Sequence, residues 1–177
     1  MYLRDSSRAL DLWDAIMAAG EEFELRAIAP SDQRRMEAGI FNYGNDMDIT
    51  NNPFEITGFE RLVEFDNDNE FVSRKALEKI KAEGVRQKLV GVTIDGDPLG
   101  MWLEDFWPVV EGDETIGRLV SASHSPRLER NMGFAWVPIG KASEGTRIEI
   151  TSPDGPMTAT VTPLPFLDPK KEIPAKS

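Results

Sequence analysis

The segment KLVGVTID, at residues 88–95, begins a series of short runs in which β-branched and aromatic residues predominate. The later runs are TIGRLVSA (115–122), GFAWVP (133–138), TRIEIT (146–151) and TATVT (158–162). Glycine, proline and aspartate separate these runs, which is typical of short strands joined by turns. The dipeptides Asp95-Gly96 and Asp154-Gly155 favour tight hairpins. The pattern therefore predicts an antiparallel barrel or sandwich in the second half of the chain.

Two helices are predicted before this region. The first follows the possible caps Ser6 and Ser7, has apolar residues at helical spacing, and ends with Gly20 in the left-handed conformation. The second and shorter helix spans residues 32–38 and is ended by Gly39. A carboxylate near the end of that helix meets the negative end of the helix dipole, which is locally unfavourable and hints at a purpose other than helix stability.

A loop and a third helix connect these helices to the strands. Residues 40–58 are rich in Asn, Asp, Gly and Pro, which predicts an ordered loop. Ser73 and Gly84 are the predicted start and stop of the third helix. The chain is therefore expected to be α+β, with one region at residues 1–72 and a second at residues 73–177.

Composition predicts a globular protein. Of the 177 residues, 40% are hydrophobic and four are tryptophan, which is enough to build a packed core. The absence of cysteine excludes disulfides and thiolate chemistry, is compatible with a reducing compartment, and makes the cytoplasm the expected location. No apolar run reaches the length of a membrane span, so the chain is expected to be soluble.

The charge balance argues against polyanionic partners. The net charge is −11, so the field of the whole chain repels phosphate backbones and anionic lipid. Neither nucleic acid nor a membrane is an expected partner. The acidic residues concentrate at residues 55–70, which is interpreted as a solvated face rather than a binding site.

Several common chemistries lack the residues they need. With no cysteine and a single histidine, His124, the usual zinc and copper sites cannot be assembled, and no metal is expected. A hydrogen-bonded structural role for His124 is favoured over a catalytic one. The run at residues 66–70 resembles the start of a calcium loop, but Phe71 replaces the required glycine and Leu77 the bidentate glutamate. No phosphate-binding loop surrounds Gly140-Lys141, and no G-x-S-x-G motif is present.

The stretch RRMEAGIFNYGND, at residues 34–46, holds the remaining candidates. The Glu37 carboxylate could accept two parallel hydrogen bonds from the N–C–N edge of a pterin-like ring, while the ring of Tyr43 packs on its face. From chemistry alone, an exposed helix residue without a ligand is the simpler interpretation of Glu37.

Six segments form a longer pattern that covers essentially the whole chain. They are LWDAIMAAG (12–20), RRMEAGIFNYGNDMDITNNPFE (34–55), FVSRKALEKI (71–80), KLVGVTIDG (88–96), IGRLVSASHSPRLERNMGFAWVP (116–138) and PLPF (163–166). In order and spacing they resemble the C-terminal half of the glycine cleavage T-protein (aminomethyltransferase) family. The resemblance implies that residues 1–72 are the remnant of a folate-binding α/β subdomain, followed at residues 73–177 by a helix and the C-terminal antiparallel β-barrel.

The resemblance also implies a cofactor and its ligands. Members of the family arrange three subdomains in a ring around tetrahydrofolate, and the glutamate of the motif R-x-E-A-G, here Glu37, binds the pterin. Tyr43 is expected near the same pocket. The SxxxSPRL stretch, with Ser121 and Ser125, is a family hallmark that is expected to form a barrel turn rather than contact the ligand.

Two departures from the family pattern favour demethylation. Glycine-cleaving members carry an arginine near the position of Asp66 and a tyrosine near the positions of residues 170–172, and this chain has neither. The loop around NNPFE resembles the folate-dependent dimethylsulfoniopropionate and aryl O-demethylases instead. We therefore expect transfer of a methyl group from a small-molecule sulfonium or aryl methyl ether to tetrahydrofolate.

The resemblance implies that the family's first half, with its catalytic aspartate, should precede residue 1, so the catalytic residue is not assigned. Either a separate chain supplies that half, or the sequence is a piece of a longer protein, or the chain has another use; the partner expected is a separate N-terminal half chain or a second copy of this chain. The alternatives are aminomethyl transfer in glycine cleavage and a non-catalytic folate-binding or assembly module. An uncovered apolar patch at Trp13, Phe41, Trp102 or Phe106 would indicate pairing with another chain.

Overall fold

The computed structural model describes residues 3–66, 70–100, 103–170 and 172–173. By its internal contacts the chain divides into two compact units, Met1–Ser31 and Asp32–Ser177. The predicted division between residues 72 and 73 stays a prediction. None of the helices in the described ranges is long and apolar enough to cross a membrane.

The first unit is built on helix α1, Ala9–Gly20, with 3-10 turns at Ser6–Arg8 and Glu21–Phe23. Asp5 caps the first of these turns by accepting a hydrogen bond from the Ser7 N–H at 3.0 Å, and the residue at the N-cap of α1 is Arg8, so the prediction that a serine is the cap was wrong. Gly20 is not left-handed either, with φ −91°, and the left-handed residue is Glu24. A Cβ at Gly20 would lie 2.4 Å from the Leu25 side chain. Glycine is therefore required here because the Leu25 side chain packs against it, and not because the backbone turns.

Six strands of the second unit form a closed antiparallel barrel in the order β1-β4-β3-β2-β5-β6. The strands are β1 Gln87–Ile94, β2 Trp107–Glu111, β3 Glu114–Ser125, β4 Arg130–Pro138, β5 Arg147–Ser152 and β6 Gly155–Thr162. Of the two predicted architectures, barrel and sandwich, the barrel is confirmed. Closure leaves no free sheet edge among these strands.

Strands β1 and β4 are buried on both faces, because two apolar clusters lie on opposite sides of them. Alternate residues such as Val90 and Ala135 join the cluster inside the barrel. Their neighbours Leu89 and Phe134 join a second cluster with Met36, which belongs to the segment before the barrel. This second cluster fastens the loop-rich segment onto the outside of the barrel.

One of the two predicted hairpins forms. Residues Pro153 and Asp154 join β5 to β6, with Ser152 opposite Gly155. The hairpin predicted at Asp95-Gly96 was wrong, because β1 pairs with β4 and β6 rather than with the next strand, β2. The Asn131 side-chain amide instead holds this turn by donating to the carbonyls of Gly96 and Asp97, at 3.3 and 2.8 Å.

Two helices precede the barrel in the second unit. Helix α2, Asp32–Glu37, packs against β3 and β4 and ends before Gly39, as predicted, where φ is +67°. Helix α3, Arg74–Glu83, ends at the predicted Gly84, with φ +77°. The loop between α2 and α3 includes 3-10 turns at Pro53–Glu55 and Glu60–Leu62.

Candidate functional site

The carboxylate predicted to bind a ligand lies at the buried end of α2. Glu37 is 6% exposed, so the exposed helix position expected from chemistry alone was wrong. Ser125 Oγ donates to Glu37 Oε1 at 2.6 Å, and the Leu167 N–H donates to the Glu37 carbonyl at 2.8 Å. A carboxylate offers about four acceptor positions, so acceptors remain for a ligand after Ser125 has taken one.

Ser125 is held by the hairpin that joins β3 to β4. It is fully buried at the end of β3 and pairs with Arg130 at the start of β4. The Leu128 N–H, within the connecting turn, donates to Ser125 Oγ at 3.1 Å. The SPRL segment therefore forms a turn of the barrel and at the same time presents a hydroxyl to Glu37.

Tyr43 lies in the turn that follows α2. Its side chain is 64% exposed, and a single β-bridge links it to Met47. Within the described ranges, no hydrogen bond or ring contact joins Tyr43 to Glu37. A role for Tyr43 in ligand binding stays a prediction.

A buried ion pair anchors this turn, and the sequence analysis did not identify it. Asp46 is 1% exposed and accepts from Arg35 Nη1 at 2.7 Å and from Ser121 Oγ at 2.5 Å. The Trp136 indole N–H donates to the Asp46 carbonyl at 2.8 Å. Arg35 also pairs with Asp32 and donates to Ser121 Oγ at 3.1 Å, so its guanidinium is largely engaged.

The signal for this network is faint in the sequence. Asp46 lies in the same motif as Glu37, and Arg35 precedes Glu37 by two positions. Arg35 has Asp32 as a partner at helical spacing, but Asp46 is 11 residues away from Arg35 and 75 residues away from Ser121. Only the fold brings them together.

A cavity of about 340 Å³ opens beside the network. Its lining includes Asp32, Arg35, Asn42, Asn45 and Ser121. Neither Glu37 nor Tyr43 is among its lining residues. The cavity is therefore next to the network around Asp46 and not next to Glu37, the residue predicted to bind a pterin.

His124 has a structural environment. Its Nδ1 lies 3.1 Å from the Asn131 Oδ1, and its backbone carbonyl accepts from Gln33 Nε2 at 2.9 Å. Asn131 is 2% exposed and also accepts from the Leu99 N–H. The imidazole is hydrogen-bonded, as predicted, and its structural rather than catalytic role stays a prediction. Within the described ranges, no group of three His, Asp or Glu side chains could hold a metal ion.

The acidic stretch at residues 55–70 supplies ordinary structural contacts where it is described. Glu55 completes a capping box with Asn52 and accepts from Gln87 Nε2 at 3.3 Å, and Glu60 pairs with Lys88 at 3.3 Å. The rejected calcium run falls partly on residues 67–69, which lie outside the described residues.

Large apolar residues are exposed on the first unit. Leu10 is 77% exposed and Trp13 is 50% exposed, and Gly20 is the only buried residue among residues 3–30. Of the other predicted patch residues, Phe106 is 47% exposed, whereas Phe41 packs against Phe59 and Phe134. Trp102 lies outside the described residues.

Comparison with known proteins agrees with this architecture. Residues 1–67 match the model of the GCVT N-terminal domain, and residues 87–168 match that of the glycine cleavage T-protein C-terminal barrel domain. An aminomethyltransferase from Halothermothrix orenii is 33% identical over 94% of this chain and 46% of its own length. A dimethylsulfoniopropionate demethylase from Ruegeria pomeroyi is 31% identical over 91% of this chain and 43% of its own length.

A solved structure shares the fold. The aminomethyltransferase T of the glycine cleavage system from Bartonella henselae superposes with a TM-score of 0.64 at 19% identity, over 77% of this chain and 38% of that chain. The chain thus spans less than half the length of these relatives. Since the two domain models match it in succession and its barrel corresponds to the second of them, the chain belongs to the glycine cleavage T-protein family.

Proposed function

We propose that this chain forms the pterin-binding C-terminal part of a tetrahydrofolate-dependent methyltransferase. The observation that carries the proposal is the buried Glu37 carboxylate, oriented by the Ser125 hydroxyl at 2.6 Å, in the motif that resembles the family's pterin ligand. An ionisable side chain buried at a helix end contributes little to the stability of that helix, which supports a binding role.

The chain's own residues would bind and orient the ligand. The Glu37 acceptor positions that Ser125 leaves free can accept parallel N–H donors from one edge of the pterin. The exposed Tyr43 ring is available to pack on a face of the ligand. Tetrahydrofolate, when bound, supplies N5 as the acceptor of the methyl group.

The methyl donor is proposed to be a sulfonium compound or an aryl methyl ether. The missing arginine and tyrosine at the positions of Asp66 and residues 170–172 support this choice over aminomethyl transfer. The relatives include both an aminomethyltransferase and a demethylase, so they do not decide between the two. Stimulation of methylene transfer by a lipoylated carrier protein would favour glycine cleavage instead.

A partner polypeptide is the second part of the proposal. Helix α1 exposes Leu10, Trp13 and Ile16, at 77%, 50% and 40%, within the residues that match the N-terminal domain model. Apolar side chains in such a row favour a protein contact over exposure to water. We propose that a polypeptide equivalent to the rest of that domain packs against these three side chains and covers them. A self-associated or purely assembling chain is the competing function.

Calorimetric titration with tetrahydrofolate tests the binding proposal. The chain is titrated alone and after mixing with the part of the Halothermothrix orenii aminomethyltransferase that it does not match. Saturable binding in either sample supports a pterin site and justifies a screen of methyl donors. The absence of binding in both samples would overturn the proposed function.

A further inference from the structure

We infer that Ser125 is a positioning residue for the ligand carboxylate: its hydroxyl fixes the orientation in which Glu37 meets a pterin. This inference rests on the proposed function, because it assumes that Glu37 accepts the ligand's N–H groups. It assigns to the SPRL turn a role beyond closing the barrel.

The direction of the hydroxyl proton follows from the contacts of Ser125. A serine hydroxyl carries one proton and two acceptor positions. The Leu128 N–H donates to Oγ at 3.1 Å, so Oγ acts as the acceptor on that side. The proton is then directed to Glu37 Oε1, at 2.6 Å, in the range of a hydrogen bond to a charged oxygen.

Burial makes this hydrogen bond a strong restraint. Ser125 is 0% exposed and Glu37 is 6% exposed, so water competes weakly for either group. No fully buried side-chain oxygen in the described ranges lacks a partner, so we expect the remaining accessible surface of Glu37 at its second oxygen, Oε2. One oxygen is thus fastened to the barrel, and the other is left for a ligand.

The two ends of the contact are held independently. Ser125 belongs to the β3–β4 hairpin, where it pairs with Arg130 across the sheet. Glu37 belongs to α2, and its main chain is held by the Leu167 N–H after β6. The strand pairing and the Leu167 contact are main-chain contacts, so removing the hydroxyl should free the carboxylate while both elements stay in place; within the turn it also removes the acceptor of the Leu128 N–H.

Ser152 provides a matched control. It is 7% exposed at the end of β5, where its Oγ donates to the Gly155 carbonyl at 2.8 Å and accepts from the Asp154 N–H at 3.2 Å. Like Ser125, it is a buried serine that braces a hairpin. It differs in having a carbonyl, rather than a carboxylate, as its acceptor.

The test is a double-mutant cycle on tetrahydrofolate affinity, in whichever sample of the wild-type chain binds the ligand. We expect Ser125→Ala to weaken binding about tenfold, as for loss of a hydrogen bond to a charged group. Ser152→Ala should leave the affinity unchanged. In a Glu37→Gln background, Ser125→Ala should add no further loss, because the two residues act as one unit.

A spectroscopic readout separates positioning from general stability. The side-chain carboxyl carbon resonance of Glu37, assigned by its loss in Glu37→Gln, should move in Ser125→Ala without ligand and stay in place in Ser152→Ala. Ser125→Cys, which keeps the shape of the side chain but is slightly larger and a weaker donor, should move the resonance in the same direction and serves if the alanine variant does not fold.

The outcomes distinguish the inference from the proposed function. No binding by the wild type overturns the proposed function and the inference with it. Wild-type binding that Ser125→Ala leaves unchanged, an unmoved Glu37 resonance, or an equal loss in the Glu37→Gln background overturns the inference alone.

Discussion

At the scale of single residues, Glu37 offers the most direct prediction. Glu37→Gln keeps the shape of the side chain but replaces one charged acceptor with a donor. Pterin affinity should therefore fall by roughly 1.5–3 kcal/mol, measured by calorimetry. The matched control is Glu60→Gln, because Glu60 is an exposed partner of Lys88 and should not affect affinity. If Glu37→Gln and the wild type have equal affinity for the pterin, Glu37 does not bind the ligand.

The buried Asp46 predicts an effect on stability. Asp46→Asn leaves the Arg35 guanidinium without its buried counter-charge, whose side chain is 0% exposed. The free energy of unfolding should fall by about 3 kcal/mol, measured by urea denaturation. Asp95→Asn is the control, since Asp95 pairs with Arg147 at an exposed position, and its loss should be under about 1 kcal/mol. Similar losses in both variants would contradict the role of Asp46.

These residues show how far the sequence leads at this scale. The motif drew attention to Glu37, and the dipole argument indicated a purpose other than helix stability. Its burial was not predictable, because the covering residue Ser125 is 88 positions away. Asp46 was missed for the same reason, since helical and strand periodicities do not report contacts across the fold.

At the scale of elements, the packing of β3 on β4 makes one glycine irreplaceable. A Cβ at Gly117 would lie 2.1 Å from the Trp136 carbonyl oxygen, which is backbone and cannot move aside. Gly117→Ala should lower the free energy of unfolding by at least about 2 kcal/mol, measured by urea denaturation.

The control for this prediction lies in a 3-10 turn of the same barrel. A Cβ at Gly140 would meet nothing within 4 Å, and its φ lies outside the left-handed region. Gly140→Ala should leave stability within about 0.5 kcal/mol of the wild type. A tolerated alanine at Gly117 would mean that β3 and β4 lie farther apart than described.

Helix α1 should open far more readily than the barrel. Only Gly20 is buried along its 12 residues, and a helix of this length is marginal without tertiary packing. Amide hydrogen exchange should therefore be fast along α1 and slow along β4, where most residues are buried. Equal protection of the two elements in the chain alone would show that α1 is already covered.

The elements were largely predictable, but their pairing was not. The β-branched runs after residue 88 predicted five of the six strands, because strand propensity and turn residues are local properties; strand β2 was not predicted. The order of strands in the barrel depends on contacts between distant segments. The failed hairpin at Asp95-Gly96 shows this, because β1 pairs with β4 and β6 and bypasses the strand that follows it.

At the scale of the whole molecule, the exposed row on α1 predicts association. Replacing Leu10, Trp13 and Ile16 together by glutamine should abolish binding to the unmatched part of the Halothermothrix orenii aminomethyltransferase. Sedimentation velocity measures the complex. The barrel should keep its thermal midpoint, because these side chains are outside both apolar clusters.

The control replaces Asp11 and Asp14, which are also on α1 and exposed, by asparagine. Association that survives the glutamine variant, or that is lost equally in the control, would contradict a contact through the apolar row. A wild-type chain that forms only dimers of itself would point to the competing assembly function.

The contact between Ser125 and Glu37 has a consequence for recombination within the family. Glu37, the proposed pterin-binding residue, and Ser125, which is proposed to orient it, lie on opposite sides of the junction between the two matched domain models, at residues 67 and 87. A chimera that exchanges the barrel alone inherits the Glu37 carboxylate from one parent and the Ser125 hydroxyl from the other. The two parts should therefore be exchangeable between relatives only where both parents keep this pair, so the boundary between the two domain models is a poor place to cut for function.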